Sequence, residues 1–299
     1  MKVIVAFSGG KDSQACLIWA IKEYGKNNVM SVFCDTGWEN PATYIHIDYV
    51  IRELDINHTT IKSNKYDGFI DMSLKKKRFP STKARFCTEE LKSKPMIDFI
   101  LDTINDHCLI IQGIRKDESS IRFNMEKQCT FFKYYFEPYG YHKKGKKKDK
   151  PKYHTHRKKD VIAFKEKYAD DILRPIFNWT AQETIHYIRE NGQYPNPLYE
   201  QGFSRVGCFP CIMCRQGEIK QMINRYPESI EQLKQHEMNL GRSFFPPDYI
   251  PKWASTGVDK SGKKFPWVID VEKYIRNKNL TEDIFNKPTS CMSFYGLCE

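Results

Sequence analysis

The sequence predicts an α/β protein: a doubly wound, mostly parallel sheet with a smaller, mainly helical C-terminal region. Three observations carry this expectation. Apolar runs of strand length alternate with stretches of helical periodicity, the pattern of a buried parallel sheet. The first run, Val3-Ile4-Val5-Ala6-Phe7, passes through a Ser8-Gly9-Gly10 turn into Lys11-Asp12-Ser13, which opens a helix with apolar Ala15, Leu17, Ile18 and Ile21. Three strand ends carry polar clusters, the place where ligands bind in open sheets of this kind.

The elements follow in order. Val29–Cys34 is a second strand, ending in Asp35-Thr36-Gly37-Trp38-Glu39. Pro41 suits the first helical position and opens a helix to about Leu54. His58–Ile61 is a third, short strand. Helical patterns cover about Gly68–Lys76 and Glu89–Asp106. Cys108–Gln112 is the next strand, ending in Gly113-Ile114-Arg115. Phe131, Phe132, Tyr134, Tyr135 and Phe136 read as core or edge strand. From Gly140 to Asp160 the chain is strongly basic; such a run repels itself and is expected as a solvated, mobile excursion. Its charge also suits phosphates, including those of nucleic acid. Order returns at Ile172–Ile176. Thr180 reads as a helix N-cap with Glu183 completing a capping box, for a helix to about Asn191. Helical patterns near Ile219–Arg225, Ser229–Asn239 and Val271–Lys278 complete the chain. A nucleotide-binding domain over 1–215, with the basic insertion at about 140–160, and a C-terminal helical region with a cysteine tail over 216–299 are expected.

The 299 residues are 40% hydrophobic and 28% charged, enough for one large core or two modest ones. No apolar run approaches ~20 residues, which argues against a transmembrane helix. The first residues go straight into a strand, without a signal-peptide pattern, so a cytoplasmic location is expected. Disulfides are rare there, and ten cysteines then point to metal, cluster or redox chemistry. The net charge of +11 points to an anionic partner, either nucleic acid or a sulfated or phosphorylated small molecule. Cys16, Cys108 and Cys129 lie in apolar patterns and read as small core residues.

The Ser8–Ser13 turn is an anion cradle. Its glycines let backbone N–H groups approach a ligand, and the helix that follows presents unpaired N–H groups and a positive dipole end. Ser8 and Ser13 add hydroxyls and Lys11 a charge. Asp12 either caps its own helix, the simpler account, or helps hold Mg²⁺. The spacing differs from G-x-x-x-x-G-K-[ST]. Ser-Gly-Gly-Lys-Asp-Ser resembles instead the PP-loop of the ATP-pyrophosphatase (adenine nucleotide α-hydrolase) superfamily.

Further motifs narrow the resemblance. Asp35-Thr36-Gly37 followed by Glu39 is similar to the second motif of phosphoadenosine-phosphosulfate (PAPS) reductase-like proteins. Gly113-Ile114-Arg115, with Ser119 and Arg122, resembles a further motif of that family; Arg115 and Arg122 are planar forks suited to phosphate or sulfate. Arg85-Phe86-Cys87, with Lys92 and Pro95, resembles the segment where adenylyl-sulfate reductases place tandem cluster-binding cysteines, although Phe86 stands at one of them. Asn196–Phe203 followed by Gly207-Cys208-Phe209-Pro210-Cys211 is again close to the family's pattern. Cys-x-x-Cys is the pair spacing of zinc and iron–sulfur sites, and here it extends to Cys214. Cys87, Cys208, Cys211 and Cys214 make four soft ligands for a [4Fe–4S] cluster, favoured by the context, or for Zn²⁺. A second arrangement joins Cys291 and Cys298 to Cys208 and Cys211 as structural zinc.

The resemblance implies an enzyme that binds ATP with Mg²⁺, or else PAPS or adenylyl sulfate. Ser8, Gly9, Gly10, Lys11, Asp12 and Ser13 would hold phosphates, and Asp35, Thr36, Gly37, Glu39, Lys92, Gly113, Arg115, Ser119 and Arg122 would complete the nucleotide site. Lys11 and Asp12 would be catalytic. In one branch ATP is split between its α and β phosphates and an acceptor, nucleic acid or small molecule, is adenylylated and receives sulfur from a donor. In the other, a sulfonucleotide is reduced to sulfite with a thiol reductant protein, and Cys298 would be the attacking thiol. The chain's ending, Gly296-Leu297-Cys298-Glu299, departs in order from the reductases' catalytic tail and lacks its histidine, which places reduction second. A non-enzymatic nucleotide- or DNA-binding accessory protein is the third expectation.

Overall fold

The computed structural model describes residues 1–145 and 147–278. Six strands form the central sheet: β1 (Lys2–Ala6), β2 (Val29–Cys34), β3 (Asn57–Ile61), β4 (Cys108–Ile111), β5 (Gln128–Thr130) and β6 (Asp170–Leu173). Their spatial order is β3-β2-β1-β4-β6-β5. All neighbours are parallel except the edge pair β5–β6, which is antiparallel. The order reverses between β1 and β4, so the carboxyl ends of β1, β2 and β4 open on one crevice.

The sheet is covered on both faces because its central strands are apolar at successive positions. Val3 and Val5 point into a layer with Ala15, Leu17 and Ile18 of α1 (Lys11–Tyr24) and Ile47 and Val50 of α2 (Pro41–Leu54). Ile4 and Ala6 point the other way, against Met96, Ile97 and Ile100, Phe131, Phe132 and Tyr135, and Val161 and Phe164. After α3 (Phe69–Lys75), Phe86–Thr88 and the π-helical turn Glu89–Ser93 lead without a break into α4 (Lys94–Thr103). Val161 and Phe164 come from α5 (Lys158–Lys165). Phe131, Phe132 and Tyr135 are core, as their pattern predicts, and follow the edge strand, whereas Phe136 of the same run is exposed.

The basic stretch is exposed or half-buried over most of its described length, as a solvated run should be, but carries local order. Gly140–Tyr141 pairs with Pro151–Lys152 as a short antiparallel hairpin, and α5 begins at Lys158. The reason lies outside the run: Arg157 pairs with Asp98, Asp102 and Asp160, and His156 meets Asp98 at 2.7 Å, tying its far end to α4.

The capping box at α6 (Ala181–Glu190) forms as expected: Thr180 accepts from the Glu183 N–H, and Glu183 accepts from the Thr180 N–H. Thr180→Ala is therefore expected to lower stability by about 1 kcal/mol in urea titration, with the denaturant slope unchanged.

Three further helices, α7 (Gln216–Arg225), α8 (Pro227–Leu240) and α9 (Val268–Asn277), pack with Phe69, Met72, Phe79 and Leu91 in one apolar cluster. Glu237 is buried there and accepts from the N–H groups of Phe244 and Val268. Burial outweighs those bonds and pushes its carboxyl up to about 7. A raised folded-state value gives stability that is full below the unfolded value and fades as pH rises through the folded one. Wild-type protein should thus lose stability between about pH 4.5 and 7 at this site; Glu237→Gln should flatten that limb of the urea-midpoint profile. Among the described residues, no helix is long and apolar enough to cross a membrane. Cys291 and Cys298 lie outside the described residues.

Candidate nucleotide and thiol site

The Ser8–Ser13 turn sits at the carboxyl end of β1, with Gly10 at the N-cap of α1. Gly9 has φ +78°, and a Cβ there would lie 2.9 Å from Thr43 Cγ2 and 3.0 Å from Ile47 Cγ1. Both the left-handed backbone and the contact with α2 demand glycine. Ser13 Oγ accepts from the Ser8 N–H at 3.2 Å and donates to the Gly10 carbonyl at 3.0 Å, closing the turn on itself.

The 194–199 loop clasps the turn from above. Asn196 Nδ2 donates to the Gly9 carbonyl, Gln14 Nε2 donates to the Tyr194 carbonyl, and the Lys11 N–H donates to Tyr199 Oη at 3.1 Å. Lys11 Nζ lies 5.1 Å from the Tyr199 ring centroid. The sequence marks this loop only as a motif; its role as a lid over the helix start needs contacts spanning more than 180 positions.

Asp12 does not cap α1. Its carboxylate is fully buried, with Oδ2 3.0 Å from Lys11 Nζ and Oδ1 2.8 Å from Arg115 Nε. Burial alone would raise its pKa, but Lys11 and Arg115 together hold it below the usual carboxylate range. The simpler sequence account fails because a capping carboxylate must turn back on its own backbone, whereas this one is drawn across the crevice by a guanidinium. Arg115 also meets Asp117 at 2.6 Å, and Arg122 pairs with Glu118. Ser119 caps the short helix Ser120–Phe123 by accepting from the Arg122 N–H. The Gly113–Arg122 loop is thus a self-braced unit bolted to α1 through Asp12. Gly113 lets it come that close: a Cβ there would stand 2.7 Å from Asp12 C and Ser13 N.

At the end of β2, Asp35 accepts from the Gly37 N–H and from Tyr44 Oη, and Lys62 Nζ lies 3.0 Å away. Its pKa is lowered: burial raises it, and these donors more than offset that. Glu39 accepts from Thr36 Oγ1 at 2.6 Å, from the Thr36 and Trp38 N–H groups and from Tyr44 Oη. Burial dominates here and raises its carboxyl, partly countered by Lys92. Tyr44 links the two carboxylates. Its only sequence signal is its place one turn into α2, directly above the strand end.

Thr36 is also where the thiols arrive. Glu39 and Cys208 form an isolated antiparallel bridge, and Cys208 Sγ is 3.7 Å from Thr36 Oγ1 and 4.0 Å from Glu39 Oε1. Cys87, Cys208 and Cys211 share a pocket of about 400 Å³ with Thr36, Arg85 and Lys92. Cys208, Cys211 and Cys214 border a second space of about 320 Å³. Cys214 is buried against Tyr249 Oη, and burial pushes its thiol well up. Among the described residues, no three His, Cys, Asp or Glu side chains form a preset metal-holding group. Phe7, Ser8, Phe33, Cys34 and Lys92 line a third space, of about 240 Å³, at the ends of β1 and β2. Lys92 is the wall common to this space and the thiol pocket, and the π-helical turn carries it there.

The structure therefore gathers Ser8–Ser13, Asp35–Glu39, Lys92 and Cys87 with Cys208 and Cys211 around neighbouring strand ends. Arg115 and Ser119 brace the far side, and Cys298 is outside the described residues.

Residues 2–214 match the phosphoadenosine phosphosulfate reductase domain model. The chain is 28% identical to the "uncharacterized 37.8 kDa protein in gpa 5'region" of Escherichia phage 186, over 99% of this chain and 96% of that protein. It is 25% identical to an adenosine 5'-phosphosulfate reductase of Streptomyces coelicolor over 60% of each. Among solved structures it is similar to a U34-tRNA thiolase from Methanococcus maripaludis with its [4Fe-4S] cluster, at 16% identity and a TM-score of 0.41, covering 86% of this chain and 78% of the other. With the family model spanning the sheet, the glycine turn and all three cysteines of the 208–214 segment, the chain belongs to the phosphoadenosine phosphosulfate reductase domain family.

Proposed function

We propose that this protein binds ATP at the Ser8–Ser13 turn, cleaves it between the α and β phosphates and adenylylates an acceptor that then receives sulfur at the cysteine pocket. The observation that carries the reading is the shared Lys92 wall: three thiols stand on one side and the turn's Ser8 on the other. The α1 N-terminus and Lys11 hold the phosphates, with Mg²⁺ offsetting their charge. An acceptor oxygen attacks the α phosphorus and pyrophosphate leaves; a sulfur nucleophile then displaces AMP from the activated carbon or phosphorus. The fold family implies a [4Fe–4S] cluster, with zinc as the alternative. Cys87, Cys208, Cys211 and Cys214 suit such a group in chemistry, all being thiols; Cys87, Cys208 and Cys211 line one space and Cys208, Cys211 and Cys214 the next, and they would have to draw together to hold it. When bound, a cluster supplies a site for incoming sulfur.

A second reading is reduction of PAPS or adenylyl sulfate, favoured by Arg85 and Lys92 in the thiol pocket, where they suit a sulfate. A thiolate would attack the sulfate sulfur and the nucleotide phosphate would leave. Product analysis separates the readings. ATP giving AMP and pyrophosphate in equal amounts supports the first; sulfite from a sulfonucleotide with thioredoxin supports the second. Neither product sinks both and leaves a binding protein.

A further inference from the structure

The region from residue 62 to residue 94 holds ten Lys or Arg and four Asp or Glu, a net +6 in about a ninth of the chain. Folding turns this into a surface. Lys65, Lys75 and Lys76 place their ammonium groups 5.3–5.9 Å from the Tyr66 ring centroid. Lys76 and Arg78 do the same over Phe86. Lys75 and Lys76 are ion-paired with Asp71 and Glu90. Lys77 and Lys83 are exposed and have no acidic partner within ion-pair distance among the described residues. This rim leads directly into Arg85 and Cys87 of the thiol pocket.

The basic hairpin comes up on the other side of the same helical turn. Glu90 holds Lys76 and Lys94, and Glu89, its neighbour, lies close enough to His154 to act on its charge. Tyr139 stacks on His154 at 4.9 Å, anchoring the hairpin base. Tyr139 and Tyr141 nevertheless stay 50% and 59% exposed, with Lys152 on the paired strand and Lys143 just past Tyr141. Exposed aromatic rings among cations are what a strand of unpaired bases needs: phosphates meet the charge and bases stack on the rings. An anionic membrane surface would meet the same charge, and binding to anionic vesicles is the outcome that would reveal it.

We propose that unpaired nucleic acid docks across this surface, its phosphates on Lys77, Arg78 and Lys83 and its bases on Tyr141 and Tyr139, so that it passes the mouth of the thiol pocket. This rests on the reading above that an acceptor is modified there, and it names the acceptor's chemistry.

The test is fluorescence anisotropy of the full chain with labelled 20-nucleotide oligo(U), oligo(dT) and a duplex, across a salt series. The combined variant Lys77→Asn, Arg78→Ala, Lys83→Ala, with asparagine chosen for the left-handed backbone at position 77 (φ 55°), should lose affinity at least about tenfold. Its log–log salt slope should flatten by about 2, from three lost phosphate contacts. Tyr141→Ala should lose about 5- to 150-fold, the worth of one base stack, with its slope unchanged. Oligo(U) against oligo(dT) tells RNA from DNA. Wild-type affinity in both variants, preference for the duplex, or binding to anionic vesicles in place of the oligonucleotides would overturn the proposal. ATP affinity of the rim variant is measured alongside by calorimetry: lost oligonucleotide binding with intact ATP affinity supports the surface, while a wild type that binds the oligonucleotide but releases no pyrophosphate from ATP defeats the reading of the reaction and leaves the binding result to stand alone.

Discussion

Arg115→Ala is expected to destabilise the protein by about 3–5 kcal/mol, the loss typical when one member of a buried ion pair is removed. Asp12 would keep Lys11 but lose the guanidinium 2.8 Å from its other oxygen, leaving a buried carboxylate half compensated. The effect reaches function because the same contact joins the Gly113 loop to the start of α1, so nucleotide affinity should fall with stability. Urea titration at pH 7 measures the first and calorimetric titration with ATP the second. The pH dependence gives the sign. A carboxyl held low in the folded state contributes stability that is present above its unfolded value, near 4, and is lost as pH falls through the folded value. Without Arg115 the acid limb should therefore begin at higher pH. A loss below about 1 kcal/mol, typical of an exposed pair, would show that the contact is not the strut described here. This limb is opposite in direction to the one assigned to Glu237, whose raised carboxyl favours lower pH.

The second large effect concerns the thiols. Cys87→Ser and Cys208→Ser should each abolish absorbance near 400 nm in anaerobically reconstituted protein and reduce sulfur transfer at least about 100-fold. That factor is the upper end of what changes around a metal's ligands cause, and loss of a ligand should exceed it. ATP affinity should hold within about threefold in Cys87→Ser, since Lys92 stands between that residue and the nucleotide space. The threefold margin corresponds to less than 1 kcal/mol. Cys16→Ser, on the core-facing side of α1, serves as the contrast: it should lower stability and leave the absorbance intact. Full absorbance in both pocket variants would remove these residues from the ligand set.

Much of the fold was legible because its signals are local. A run of five apolar residues before a glycine turn, Pro41 at a helix start, and Thr180 with Glu183 each state their role within a few positions, and the structure places them as expected. The antiparallel edge strand Gln128–Thr130 was not legible: one exposed and two half-buried residues leave no period to read. The order within the basic run was hidden for a different reason, since the groups that fix it, Asp98 and Asp102, lie more than fifty positions before Arg157. The same applies at the site. The glycine turn and the cysteine spacing announce themselves, but the use of Asp12 depends on an arginine 103 residues on, and the Tyr199 contact on a partner 188 residues back. Lys92 is marked in the sequence by resemblance alone; its place between the space at the β1 and β2 ends and the thiols depends on the π-helical turn.

The most direct measurement is a crystal structure with α,β-methylene-ATP, which cannot be split at the proposed bond. Its phosphates are expected at the start of α1 and on Lys11, with Tyr199 Oη displaced from the Lys11 N–H, its adenosine against Phe33, Cys34 and Lys92, and its α phosphate turned toward the thiol pocket. Phosphates seated on the Lys77–Lys83 rim instead, with the Ser8–Ser13 turn empty, would contradict it.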